Sequence, residues 1–246
     1  MNQFRNETVL ITGVSKGIGA SLVPEFVNLG AKVIGIARSS DALAELESKY
    51  PEQFTGISID LSDIDSWKKL VEKVKQVPHT LILNAGTCEY IDNGNVDSKL
   101  VKRVFDINFM ANVYAAEILL PAWSDKLKQW AVVSSSARYF AMPRAEAYGS
   151  SKAALSYFFE SLQLNFPGIR FSQVHPGFVE TPLTDKNDFS MPFKITSEKA
   201  ASTITKGLLK KKRQINFPLF FTLFLRLLGV VPASLRYKLG RGMLKQ

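Results

Sequence analysis

Apolar and polar positions along this chain follow two rhythms. Short runs that are apolar almost throughout recur at Thr8–Thr12 (TVLIT), Ala31–Ala37 (AKVIGIA), Phe54–Ile59, Thr80–Leu83, Trp130–Ser134, Arg170–Val174 and Gln214–Phe217. Between them lie longer segments with apolar residues three and four apart: Gly17–Leu29, Asp41–Tyr50, Ser62–Val77, Ser98–Leu120, Ala147–Phe166 and Ser197–Lys210. The first rhythm predicts strands and the second helices. The stops agree: Gly30 follows the first helix, Pro51 the second, Pro121 the fourth and Pro167-Gly168 the fifth, while Ser62 can cap the third. Nearly continuous apolar strands indicate a parallel sheet covered on both faces. Alternation with right-handed crossovers then predicts an α/β fold. The expectation is a single doubly wound Rossmann-type domain over residues 1–217, with a parallel sheet of about seven strands and helices on both faces.

Residues 218–246 depart from this pattern and read as a separate hydrophobic, basic C-terminal helical extension. Phe217–Ala233 (FPLFFTLFLRLLGVVPA) is the most apolar stretch, yet Pro218, Arg226 and Pro232 interrupt it. It falls short of the ~20 apolar residues that a membrane span needs. On a helix, Thr222, Arg226, Gly229, Ala233, Arg236 and Gly240 form one narrow stripe, and the remaining surface is Leu, Phe and Val. Such a surface does not rest in water. Two readings follow: partial insertion into a membrane face, or packing against the body or a second subunit.

Charge sharpens the division. The net charge is +9, but residues 1–206 hold 22 basic and 22 acidic side chains, whereas residues 207–246 hold nine basic ones and no acid. A neutral body argues against a nucleic-acid binder. A basic tail rich in Phe and Leu points to peripheral contact with an anionic membrane through residues 210–241, or to an acidic partner. One cysteine, Cys88, excludes a disulfide framework, and with only His79 and His175 no metal site is expected. Cys88 reads as a small apolar residue and His79 as a surface residue before a strand. Met1 to Thr8 is polar and runs straight into the first strand, so no secretory signal is expected and a cytoplasmic location is.

Two local patterns carry chemistry. Thr12-Gly13-Val14-Ser15-Lys16-Gly17-Ile18-Gly19 joins the first strand to the first helix. Glycines let the backbone turn tightly and approach a pyrophosphate, and the helix N-terminus offers free N–H groups. The end of the second strand reads Gly35-Ile36-Ala37-Arg38-Ser39-Ser40, with no carboxylate before Asp41. A site for NAD usually has an acid there for the ribose hydroxyls. Arg38 with Lys16 can instead hold a 2′-phosphate, which selects NADP(H), or the two are solvated surface cations. The second pattern is Tyr148-Gly-Ser-Ser-Lys152 at the start of a helix. Residues four apart share a face, and an ammonium beside a phenol lowers its pKa from about 10, which suits proton exchange with a carbonyl or alcohol oxygen.

In their combination these elements make the chain resemble the short-chain dehydrogenase/reductase family over roughly residues 6–217. The motifs fall in the family's order: TGVSKGIG at 12–19, Asp60-Leu61, Asn84-Ala85-Gly86, Asn108, Ser135, Tyr148 with Lys152, and HPGFVET at 175–181. The resemblance implies that Tyr148 is the general acid/base and that Lys152 tunes it and holds the nicotinamide ribose. It implies that Ser135 holds the substrate oxygen and that Asn108 holds a water for proton relay. Asp60 and Leu61 would flank the adenine, Asn84, Ala85 and Gly86 would line the cleft, and Pro176, Gly177, Val179 and Thr181 would fix the nicotinamide amide. Gly13, Ser15, Lys16, Gly17, Ile18, Gly19 and Arg38 complete the cofactor set. Ser134 and Ser136 flank Ser135, which is chosen for its thirteen-residue separation from Tyr148. Asn108 has a structural reading as well, satisfying buried backbone groups.

The family places substrate against segments that here contain Tyr90, Tyr139, Phe140, Met142, Phe189, Met191 and Phe193. These residues either face a hydrophobic carbonyl or alcohol, or only pack a lid. A homo-dimer or homo-tetramer through 98–120 and 147–166 is implied. The alternative to an enzyme is a catalytically silent dinucleotide-binding sensor or scaffold.

Overall fold

The structure is a computed structural model describing residues 4–185 and 187–245, with the side chain of Lys245 left out. The first residues of the polar N-terminal stretch therefore lie outside the described part, as do Lys186 and Gln246. Seven parallel strands form one sheet: β1 (Thr8–Thr12), β2 (Lys32–Ala37), β3 (Phe54–Ser58), β4 (Thr80–Leu83), β5 (Gln129–Val133), β6 (Arg170–Pro176) and β7 (Gln214–Phe217). Their order across the sheet is β3-β2-β1-β4-β5-β6-β7. In register, Val9 of β1 lies between Val33 of β2 and Thr80 of β4.

Side-chain alternation explains why the strands are apolar on both faces. Val9 and Ile11 point to a core shared with α1 (Gly17–Asn28) and α7 (Ser197–Leu209), where Phe26 and Ile204 are fully buried. Leu10 points to the opposite core with Trp130, Leu70 and Phe159. That side is closed by α3 (Ile64–Lys73), α5 (Ala111–Trp123) and α6 (Glu146–Leu162). The α2 helix (Ser40–Lys49) packs on β3 through Leu43. The chain reverses its winding between β1 and β4, which opens a crevice beyond the carboxyl ends of those two strands.

Three expectations about the helices are corrected. Ser62 is not the cap of α3: Asp63 accepts from the Asp65 and Ser66 N–H groups, while Ser62 donates to Asp60. Residues 98–120 are not one regular helix. The α4 helix (Ser98–Phe105) passes through a π-turn at Asp106–Met110 into α5, which runs beyond Pro121 to Trp123. Pro121 sits exposed in the last turn, where the carbonyl left without its N–H partner can turn to water and the helix ends two residues later. Finally, the apolar tail is two helices, α8 (Leu219–Val230) and α9 (Ala233–Gly242), broken at Pro232, which cannot continue a helix from Val231. Among the described residues no helix is long and apolar enough to cross a membrane.

Candidate active site

The crevice is a cleft of about 710 Å³. Its first wall is the glycine turn after β1. Gly13 and Gly17 have φ of +74° and +59°, conformations that side chains rarely tolerate. A Cβ on Gly13 would lie 2.9 Å from the Ala85 backbone, and one on Gly19 would strike the Gly13 carbonyl oxygen. The turn thus closes on the end of β4. Thr12 Oγ1 accepts from the Asn84 and Ala85 N–H groups, both at 3.0 Å, and Asn84 Nδ2 donates to the Thr12 carbonyl at 3.0 Å. Lys16 stands at the N-cap of α1 and makes no capping hydrogen bond, and no acid lies in the first turn. The free N–H groups and the positive helix end therefore meet the cleft without a protein anion.

Arg38, at the end of β2, lines the cleft with Asp60 and Leu61. Asp60 accepts from the Ser62 N–H and hydroxyl, which lowers its pKa, and Arg38 adds to that lowering. Arg38 therefore lies within the field of one carboxylate, supplied from beyond β3 rather than from β2. Ser15, Lys16, Ile18, Gly86, Pro176, Gly177, Val179 and Thr181 all line the same cleft. Gly19 and Asn108 stand behind its surface, the first as spacer and the second as brace.

At the other end lie Ser135, Tyr148 and Lys152. The spacing in α6 carries the last two to one face, and Lys152 Nζ is 5.9 Å from the Tyr148 ring centroid. The ammonium lies over the ring and makes no hydrogen bond with the phenol oxygen. It donates to the Val133 carbonyl at 2.8 Å, and burial lowers its pKa to about 8. Burial pushes the Tyr148 phenol up to about 12, with Ser135 pulling the other way. The reason is desolvation at the inner wall of the cleft, where each group resists its charged form. The serine ambiguity resolves by contact. Ser134 is tied to the Lys152 carbonyl (3.0 Å) and the Ser156 hydroxyl (2.7 Å), whereas Ser135 faces the cleft beside Tyr148 and accepts only from the Ala137 N–H.

Asn108 is fully buried in the π-turn. Its Oδ1 accepts from Thr87 N–H at 2.8 Å, and its Nδ2 donates to the Thr87 carbonyl and to Ser151 Oγ. It braces the loop after β4 against α6, beside Gly86 and Lys152. Ser151, unremarked in the sequence although it lies inside the Tyr148–Lys152 motif, anchors that brace. Thr184 was likewise missed: it donates to the Val179 carbonyl and accepts from Thr181 N–H, pinning the segment after β6. His175 is fully buried, with its pKa pulled down to about 3 by burial and by Arg138, so it stays neutral and structural. His79 is half-buried rather than a free surface residue, since its Nδ1 accepts from Thr8 N–H. Cys88 lines the cleft, with burial raising its pKa.

The apolar substrate set splits. Tyr90 and Phe189 pair edge to face, 5.8 Å apart, next to the cleft-lining Cys88 and Glu89. Tyr139 and Phe140 instead turn away and pack under α8 with Phe221 and Leu225, and Met142 joins that cluster.

Over residues 7–190 the chain matches the family described as short chain dehydrogenase. It is 30% identical over 243 residues to 11-beta-hydroxysteroid dehydrogenase 1A of Arabidopsis thaliana, covering 87% of this chain and 69% of that one. A short chain dehydrogenase/reductase from Burkholderia phymatum, solved in complex with NAD, superposes with a TM-score of 0.83 at 18% identity, covering 92% and 94% of the two chains. An alcohol dehydrogenase from Thermococcus sibiricus, complexed with 5-hydroxy-NADP, gives 0.77 at 20% identity, over 86% and 95%. At these identities the two structures show the shared fold.

Proposed function

This chain belongs to the short-chain dehydrogenase family of oxidoreductases, and we propose that it uses NADP(H) to interconvert a carbonyl and an alcohol on a hydrophobic small molecule. The observation that carries this reading is one continuous cleft with the uncapped start of α1 and Arg38 at one end and Ser135, Tyr148 and Lys152 at the other.

The residues suit a dinucleotide. Positive φ at Gly13 and Gly17 keeps the turn free of side chains, and the uncapped N–H groups complement a pyrophosphate. Lys16 and Arg38 offer cations for a 2′-phosphate, and β2 ends without an acid. Asp60 and Leu61 would border the adenine, and Pro176, Gly177, Val179 and Thr181 the nicotinamide. The bound cofactor supplies or accepts the hydride. Tyr148 gives its phenolic proton to the substrate oxygen in reduction and takes one back in oxidation. Ser135 donates to that oxygen as charge develops there. Lys152 supports the phenolate once its ammonium swings from the Val133 carbonyl toward Tyr148, a short turn within the pocket the two already share. Asn108 keeps Gly86 and Thr87 in place, so the pocket floor stays rigid.

Support for a hydrophobic substrate comes from the Tyr90–Phe189 pair beside the cleft and from the likeness to a steroid dehydrogenase. The test is a panel of apolar ketones and aldehydes with NADPH and with NADH, followed at the nicotinamide absorbance. The reading expects NADPH oxidation with at least one apolar carbonyl. Cofactor binding without turnover of any of them would favour a silent dinucleotide sensor.

A further inference from the structure

The α8 helix is amphipathic in the reverse sense. Thr222 and Gly229 face the body beside Phe221 and Leu225. A Cβ on Gly229 would strike the Tyr139 carbonyl oxygen, so this small-residue side is what lets the helix come close. The outward side is apolar: Phe220 is 83% exposed and Val230 78%, with Leu223, Phe224 and Leu227 between them at helical spacing. In α9 no residue is buried, and Leu235 and Leu239 lie one turn apart on its surface. An ordinary surface helix turns such residues inward.

Charge selects what covers this face. The exposed run Lys210 to Arg213 precedes it, and the exposed Arg226, Arg236, Lys238 and Arg241 lie within it. The chain has no acidic residue after Glu198. A second copy docking here would set cations against cations. An anionic bilayer offers apolar depth for the Phe and Leu side chains and phosphates for the cations, whose stems can reach up along the helices. With no helix among the described residues long and apolar enough to span, the pair would lie in the interface plane. The inner side of α8 touches Phe178 and Phe193 in the segment that also carries the cleft residues Val179 and Thr181, so this surface and the cleft are one helix apart.

We propose that the outward faces of α8 and α9 form a docking surface for an anionic lipid bilayer. Flotation of the full chain with phosphatidylcholine vesicles, with and without phosphatidylserine, tests this independently of any enzymatic activity. Strong binding to the anionic vesicles is expected, weaker by about tenfold or more without phosphatidylserine, and weaker again at high salt. The double substitution Phe220→Glu and Phe224→Glu should weaken binding by about tenfold or more, because two large apolar side chains no longer enter the interface. Both positions are exposed, so thermal melting should be unchanged. Val96→Glu, at a residue 74% exposed elsewhere, should bind like the parent. The proposal fails if the parent chain stays unbound with anionic vesicles, or if the double variant floats equally well. It also fails if the parent is a dimer that the double variant converts to monomer, which would assign the face to a second copy.

Discussion

Gly19, where α1 leaves the glycine turn, and Gly229, on α8, each sit against a backbone carbonyl oxygen with no room for a side chain. Around Gly19 nearly every polar group is committed: Thr12, Asn84 and the turn after β4 bond one another, and only the helix start is left open toward the cleft. Around Gly229 the close approach seats a helix whose other side is apolar and uncovered. The same packing device thus serves two ends. At the first it shapes a cavity by removing side chains. At the second it anchors a surface by bringing a helix near. What distinguishes them is the unsatisfied chemistry left facing outward, N–H groups in one case and hydrocarbon in the other.

Substitutions around either glycine should separate these two roles. The largest effect on stability is expected from Gly19→Ala, where the Cβ drives α1 off the turn. A loss of about 2–3 kcal/mol together with lost dinucleotide affinity is expected by denaturant melting and by titration. Arg38→Asp should shift preference from NADPH toward NADH by about ten- to hundredfold in kcat/KM, the worth of a lost charge-assisted pairing, with melting nearly unchanged. An unchanged preference would leave Arg38 a solvated cation.

Lys152→Met sharpens the contrast by separating stability from chemistry inside the cleft. Burial holds the Lys152 pKa near 8, below the 10.5 of the exposed group. Below about pH 8 the folded protein carries a buried charge at a cost. Between about 8 and 10.5 the unfolded chain keeps the proton that the folded one has released, so parent stability rises with pH. The Met variant should therefore be more stable by about 1–2 kcal/mol at pH 7, a gain that shrinks above pH 8, while turnover collapses. Melting curves across that range check the sign. The smallest effect belongs to the outward face of α8: Phe220→Ser should change stability by no more than about 0.5 kcal/mol, since the side chain is 83% exposed.

How much of this was legible beforehand follows from how local each feature is. The strands announced themselves because burial on both faces leaves few polar residues in Thr8–Thr12 or Thr80–Leu83. The glycine turn and the Tyr148–Lys152 pair were legible because their geometry is set by a few neighbours in sequence. The π-turn at Asp106–Met110 was not, because one extra residue per turn leaves the apolar spacing looking helical. The Lys152 ammonium's partner depends on the Val133 carbonyl arriving from β5, which spacing within α6 does not reveal. For Tyr139 and Phe140 the choice between substrate contact and packing stayed open in the sequence, because the residues that cover them, Phe221 and Leu225, come some eighty positions later. Asp60 near Arg38 was hidden for a similar reason, since the pairing of β2 with β3 brings the ends of the two strands to the same edge of the cleft.

The central claim is that the Tyr148 phenol exchanges the proton while hydride moves in this cleft. Its most direct test is Tyr148→Phe, measured for NADPH affinity by fluorescence titration and for turnover on an accepted carbonyl. Affinity within about twofold of the parent and turnover lowered by about 10²–10⁴-fold is the predicted result. Turnover within a few-fold of the parent would place the proton donor elsewhere and contradict the account.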